Sequence, residues 1–179
     1  MIRRTDRMTL RRLSAHDLED LYALDLDAEV RRFIDDGGPP EPWEIYRRNT
    51  LERLESAAAS SPHLGVWTAR HADDSFIGWF HLRPNANVFP GEMEIGYRLH
   101  RKFWRQGLAT EGTRHLIDAA FSELNVNYVM GTTLAANVAS RRVMEKAGMR
   151  FERSFTYPQN LAPFWNDEQR AAVKYSLSA

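Results

Sequence analysis

The chain has 179 residues, 43% hydrophobic and 27% charged, with 24 basic side chains balancing 24 acidic ones. That length suits a single domain with a sizeable core, expected here over residues 1–179, and the charge balance argues against general nucleic-acid binding, which normally needs a basic surplus. With no cysteine, disulfides, thiolate zinc sites, iron–sulfur clusters and a cysteine nucleophile are all excluded.

Met1 to Arg12 is basic, but no apolar run follows it, so a secretory signal is not expected. No window approaches the ~18 consecutive apolar residues of a membrane span. The expected location is the cytoplasm, with no membrane partner.

Thr9 to Leu13 alternates weakly and is predicted as a first strand. Ser14 offers a helix N-cap with Asp17 three residues on, a variant of the capping box. Leu18, Leu21, Tyr22, Leu24 and Leu26 then follow a broadly helical pattern. The Gly37-Gly38-Pro39-Pro40 cluster breaks the chain and reads as a loop. A second helix is predicted from near Pro42-Trp43, through Ile45, Tyr46, Leu51 and Leu54, until Ser60-Ser61-Pro62 ends it. Leu64–Ala69 and Phe76–Leu82, separated by a turn-rich segment, read as a hairpin.

The best period-two signal is Met93, Ile95, Tyr97 and Leu99 alternating with Glu94, Gly96 and Arg98. Gly96 inside that strand suggests a bulge or a close approach by another backbone. Leu108 to Leu124 is predicted helical, Tyr128 to Thr133 a strand, and Ala139 to Ala147 a short helix stopped by Gly148. Phe151–Thr156 and Ala171–Ser178 look like a closing antiparallel pair around a loop of aromatics and proline. The expected fold is a mixed α/β (α+β) domain with a central sheet of about seven strands and helices on both faces.

Two segments carry chemistry. Arg105-Gln106-Gly107-Leu108-Ala109-Thr110 joins the alternating strand to a long helix. The first turn of a helix has unpaired N–H groups and partial positive charge, which attract phosphate oxygens. Gly107 lets the backbone approach an anion, Ala109 keeps the next position small, and Arg101, Lys102 and Arg105 add favourable charge. An ordinary strand–loop–helix junction with a basic surface explains this segment equally well. Downstream, Asn137 lies between a strand and a helix, able to cap that helix or bond a ligand amide, and Ser140 lies one turn further on. Capping and solvent exposure account for each taken singly.

In order and spacing, the strand Glu94-Ile95-Gly96-Tyr97-Arg98-Leu99, the turn Trp104 to Glu111, and Asn137-x-x-Ser140 followed by Glu145-Lys146-x-Gly148-Met149 resemble the GNAT superfamily of N-acetyltransferases. Within it they are similar to the RimJ/RimL-like branch that acetylates ribosomal-protein N-termini. The likeness covers nearly the whole chain, most specifically between about Glu92 and Phe151. It implies acetyl-CoA as cosubstrate, with its pyrophosphate on the backbone amides of Arg105, Gln106, Gly107, Leu108, Ala109 and Thr110. It also implies that the strand around Ile95, Gly96 and Tyr97 splays from the strand near Tyr128 to Thr132. Pantetheine would lie in that gap, with Asn137 and Ser140 contacting it. Two positions depart from the superfamily: Trp104 replaces the usual Gln or Arg, and Met144 stands where many relatives carry a tyrosine general acid.

Direct transfer needs a neutral amine, removal of one proton and a proton for the departing thiolate. Glu94 is the candidate base, with Glu92 as fallback, and Ser140 the candidate acid. A backbone N–H near Ile95 to Tyr97 is a candidate to polarise the carbonyl. The histidines show no metal-like spacing, and no metal is expected. Trp79, Phe80 and the Phe164-Trp165 pair are candidate walls of an acceptor groove. The expected activity is acetyl transfer to a primary amine, either a protein N-terminal α-amine or a small molecule, by a monomer or homodimer. A catalytically inactive acetyl-CoA sensor and an antibiotic-modifying enzyme are the alternatives.

Overall fold

The computed structural model describes residues 2–34, 38–58, 64–163 and 165–179. Its strands are β1 (Ile2–Arg4), β2 (Thr9–Arg12), β3 (Gly65–Arg70), β4 (Phe76–Pro84), β5 (Met93–Leu99), β6 (Tyr128–Leu134), β7 (Arg150–Thr156) and β8 (Ala171–Ser178). The α-helices are α1 (Leu18–Asp25), α2 (Ala28–Arg31), α3 (Trp43–Ala58), α4 (Leu108–Glu123) and α5 (Val138–Lys146). All eight strands join one sheet in the order β1-β2-β3-β4-β5-β6-β8-β7. Every pairing is antiparallel except β5 with β6.

The sheet therefore has one strand more than the seven expected. The addition is β1, too short to show alternation and held by its pairing with β2 and by Arg3, whose guanidinium donates to Glu123 at 2.9 and 2.8 Å. The first predicted helix divides into α1 and α2 at Leu26–Asp27, where the Asp27 side chain accepts from the Glu29 backbone N–H and starts a new turn. The capping box at Ser14 forms, with the Ser14 N–H donating to Asp17 Oδ2 at 3.0 Å. Parts of the Gly37-Gly38 loop, the Ser60-Ser61-Pro62 stop, His63 and Phe164 lie outside the described residues.

The core is divided between the two faces of β4, whose alternation is reset where the register with β3 skips Ile77. Ile77, Phe80 and Leu82 join the cluster that α4 completes with Leu108, Leu116, Ile117 and Ala120, and to which α5 adds Met144. Phe76 and Trp79 join the opposite cluster, built on Leu18, Leu21 and Leu24 of α1. Gly112 lets α4 lie directly on the sheet: a Cβ there would stand 2.5 Å from Phe80 Cε1.

The site-forming irregularity is between β5 and β6. These seven-residue strands share one registered pair, Glu94 with Met130. By contrast, β5 is paired with β4 along its full length and β6 with β8 along its own. Beyond Glu94 the inner edge of β5 has no registered β6 partner, which leaves backbone N–H and C=O groups at the opening for another extended group.

Candidate active site

At the head of α4, His100 to Phe103 turns the chain, and the Trp104 indole N–H donates to the Leu99 carbonyl at 2.7 Å. Arg105 and Gly107 both have left-handed backbone, at φ 60° and 80°. Glycine adopts that conformation freely, whereas arginine does so at a cost. The first α-helical bond runs from the Glu111 N–H to the Gly107 carbonyl at 3.0 Å. Among the described residues, no backbone N–H from Arg105 to Thr110 has a protein acceptor. This run of free donors at the positive end of a 16-residue helix fits a pyrophosphate.

The second motif sits on the other side of the β5–β6 opening. Asn137 caps α5, its Oδ1 accepting from the Ser140 N–H at 3.2 Å. The cap leaves its Nδ2 amide directed to no protein acceptor among the described residues. The Ser140 hydroxyl lies 3.0 Å from the Tyr97 hydroxyl. Desolvation raises the Tyr97 phenol to about 12, against the opposing effect of its Ser140 contact, so it remains protonated at neutral pH. Thus Tyr97 of the cofactor edge and Ser140 of the second motif meet directly, a contact that spacing alone did not show. Met144 is buried, and a Cβ on Gly131 would come 2.9 Å from its Sδ. It fills space between α5 and β6 and supplies no proton.

Glu94 points to the opposite face of β5. Its Oε1 accepts from the Thr132 hydroxyl at 3.2 Å, and Thr132 in turn accepts from the Tyr157 hydroxyl at 2.8 Å. Desolvation pushes the Tyr157 phenol up to about 12, with the Glu94 charge adding to the effect. His81 Nε2 stands 3.7 Å from Glu94 Oε2, too far for a hydrogen bond. The imidazole is enclosed and stacks 5.8 Å from Trp79. Desolvation first, and then the charges of Arg83 and Arg98, lower it to about 3. It is neutral at pH 7, so Glu94 has a polar neighbour there and no cation. Gly96 is the position that admits this ring: a Cβ there would stand 2.7 Å from His81 Cε1. The close approach expected at Gly96 is real, but it is by a side chain, and the β4–β5 register runs on without a bulge.

Glu92 is otherwise engaged. It pairs at 2.6 Å with the buried Lys174 ammonium, which also meets Glu152 at 2.9 Å. That ion triad fastens the loop before β5 to β7 and β8, which removes Glu92 as the fallback base. Phe80 is fully buried under α4 and walls no groove. Trp79 packs on the α1 side, with Arg98 5.2 Å over its ring and ion-paired to Asp25. Three residues went unforeseen: His81, Thr132 and Tyr157. Each belongs to a different element, and no short motif links them to Glu94.

Residues 7–150 match the family model described as the acetyltransferase (GNAT) domain. The chain is 33% identical over 180 residues to the FsC-acetyl coenzyme A-N(2)-transacetylase of Aspergillus fumigatus, covering 97% of this chain and 74% of that one. Among solved structures, RimL, the ribosomal L7/L12 alpha-N-protein acetyltransferase in complex with coenzyme A, superposes with a TM-score of 0.80 at 15% identity, covering 99% of this chain and 98% of that one. RimJ of Mycobacterium smegmatis, in complex with CoA-disulfide, superposes with a TM-score of 0.76 at 16% identity over 99% and 87%. The chain belongs to the GNAT acetyltransferase family, with the fold of RimJ and RimL. It is an acyltransferase that moves an acetyl group from acetyl-CoA to an amine.

Proposed function

We propose that the acetyl group passes directly to a primary amine at the point where β5 and β6 part, with Glu94 as base and Ser140 as acid. The observation that carries this reading is the single Glu94–Met130 pair. It ends the ladder beside the candidate base and leaves Ile95 to Tyr97 as an open edge between that base and Ser140.

Bound acetyl-CoA supplies an activated thioester. The N–H groups of Arg105 to Thr110 hold its pyrophosphate, and the free edge of Ile95, Gly96 and Tyr97 aligns its pantetheine. Asn137 presents its amide to the same arm. Glu94, oriented through Thr132 and Tyr157, takes the proton of the incoming amine. Ser140, held by the Tyr97 hydroxyl, gives a proton to the departing sulfur and regains one from solvent, to which Glu94 releases the amine proton. All of residues 1–179 serve one domain on this reading, since β8 carries the far side of β6.

For the acceptor we favour a small-molecule amine. The relative named as an N(2)-transacetylase, a name that specifies a nitrogen position and no protein acceptor, is 33% identical across 97% of this chain, whereas RimL is 15% identical. A protein N-terminus is the second reading, favoured by the RimL superposition. A panel of amines and N-terminal peptides, read by thiol release, decides between them. Turnover of peptides alone would reverse the choice of acceptor. Failure of acetyl-CoA to bind in calorimetry at millimolar concentration would overturn the donor site itself.

A further inference from the structure

The turn at Arg105 to Thr110 does not hold its shape alone. Two left-handed residues within three positions, one of them arginine, need outside support. The support comes from Arg7, about a hundred residues away in the β1–β2 turn. Its NH1 donates to the Gln106 carbonyl at 2.8 Å, and its NH2 lies 3.4 Å from where a Gly107 Cβ would stand. The same guanidinium is fixed by Glu111 in the first turn of α4. Arg7 Nε donates to Glu111 Oε2 at 2.7 Å, and NH2 contacts that oxygen at 2.6 Å. The Arg7 N–H and the Thr5 hydroxyl donate to the other carboxylate oxygen at 2.9 and 2.5 Å.

We propose that Arg7 is a positioning residue for the coenzyme-binding turn, acting in two ways, and the proposal rests on the donor-site reading above. In a trans peptide the carbonyl and the following N–H point in opposite directions. By holding the Gln106 carbonyl, Arg7 aims the Gly107 N–H away from itself, as a donor to phosphate. It also answers an electrostatic problem. Glu111 puts a carboxylate in the helix turn that must receive a dianionic pyrophosphate, and an unpaired carboxylate there repels it. Arg7 neutralises that charge, and because its side chain is half exposed the pair adds little to folding stability.

The test is calorimetric titration of acetyl-CoA into the full chain and its Arg7→Ala, Arg7→Lys and Arg7→Ala/Glu111→Gln variants, with thermal melts and steady-state kinetics. Wild-type binding is the control for the donor site: without it, that site fails whatever Arg7 does. With it, Arg7→Ala raises the Kd about tenfold or more, equivalent to a change of one interaction of ordinary strength. Arg7→Lys, which keeps the charge but cannot reach carboxylate and carbonyl together, falls between. Removing the Glu111 charge in the double variant restores part of the affinity. In kinetics, the KM for acetyl-CoA rises while the KM for the amine stays. Arg7→Ala binding within twofold of wild type overturns the proposal. So does a rise in both KM values together with a lower melting temperature, which is the signature of a purely structural role.

Discussion

Replacing Glu94 with glutamine tests the assignment on which the chemistry depends. Glutamine keeps the shape and an amide oxygen that still accepts from Thr132 at the 3.2 Å position, so the Tyr157–Thr132 support survives. Because His81 is neutral, no buried cation is stranded when the carboxylate goes, and the fold loses little. What disappears is the proton acceptor. General bases contribute roughly 10²–10⁴ in rate. A loss of about 10²–10³ in kcat is therefore expected, or ~3–4 kcal/mol of transition-state stabilisation. The KM for acetyl-CoA should hold, since the donor turn lies on the other side of β5. Tyr157→Phe is the graded companion: it removes one neutral hydrogen bond from the support, worth about 0.5–1.5 kcal/mol, and should cost roughly two- to tenfold. Both are read by thiol release at saturating acetyl-CoA with the best amine from the acceptor panel. Glu94→Gln turnover within threefold of wild type would refute the assignment. An unchanged kcat with a raised amine KM would make Glu94 a binding group only.

Four further outcomes follow from packing and titration. Gly112→Ala forces a methyl into the Phe80 ring, and urea unfolding should show a loss of about 1–3 kcal/mol. Met144→Ala empties a site that is 3% exposed and should cost about 2–5 kcal/mol, with a smaller effect on kcat than on stability if Met144 is filler alone. His81 titrates near 6.5 when unfolded and about 3 when folded. The unfolded chain thus binds more protons between those values, and stability is lost as pH falls through that window. Between pH 7 and 5 this one group removes about 2 kcal/mol, a slope that His81→Gln should flatten in denaturant melts. Burial works to raise the Glu111 carboxyl, but the hydrogen bonds of Thr5 and Arg7 outweigh it and leave it depressed. Its contribution is present above the ordinary glutamate range and lost as pH falls below it, so Glu111→Gln should reduce the wild-type loss of stability below about pH 4.

What was legible in the sequence was what repeats or is local. The bounds of β5 follow from alternation and match residue for residue, and those of β8, read as one half of a closing antiparallel pair, match as well. The start of α4 follows from Gly107, and the Asn137 cap from its place before Ser140. Missed elements were those whose reason is remote. Three residues of β1 have no period to read, and α2 is a four-residue turn started by one aspartate. Phe80 alternates like a groove wall, yet Gly112 thirty-two residues later draws a helix over it. Lys174 can lie buried in β8 because Glu92 and Glu152, distant from it in the sequence, pair with its charge.

The same distinction separates donor from acceptor. The donor site, as proposed, is made mainly of backbone: N–H groups at a helix end, a free strand edge and a glycine. Such a site imposes local demands, here positive φ at Gly107 and a strand that ends its pairing at Glu94, and local demands leave local residue patterns. On the proposed reading the acceptor side is made of side chains drawn from β4, β5, β6 and the segment after β7: Glu94, Thr132 and Tyr157 are linked by two hydrogen bonds, and His81 stands beside Glu94 without one. These side chains come from separate elements, so no local pattern ties one to another. On this reading selectivity for the amine rests on residues that no short motif links, and exchanging Tyr157 or Trp79 should alter which amine is accepted while leaving acetyl-CoA affinity in place.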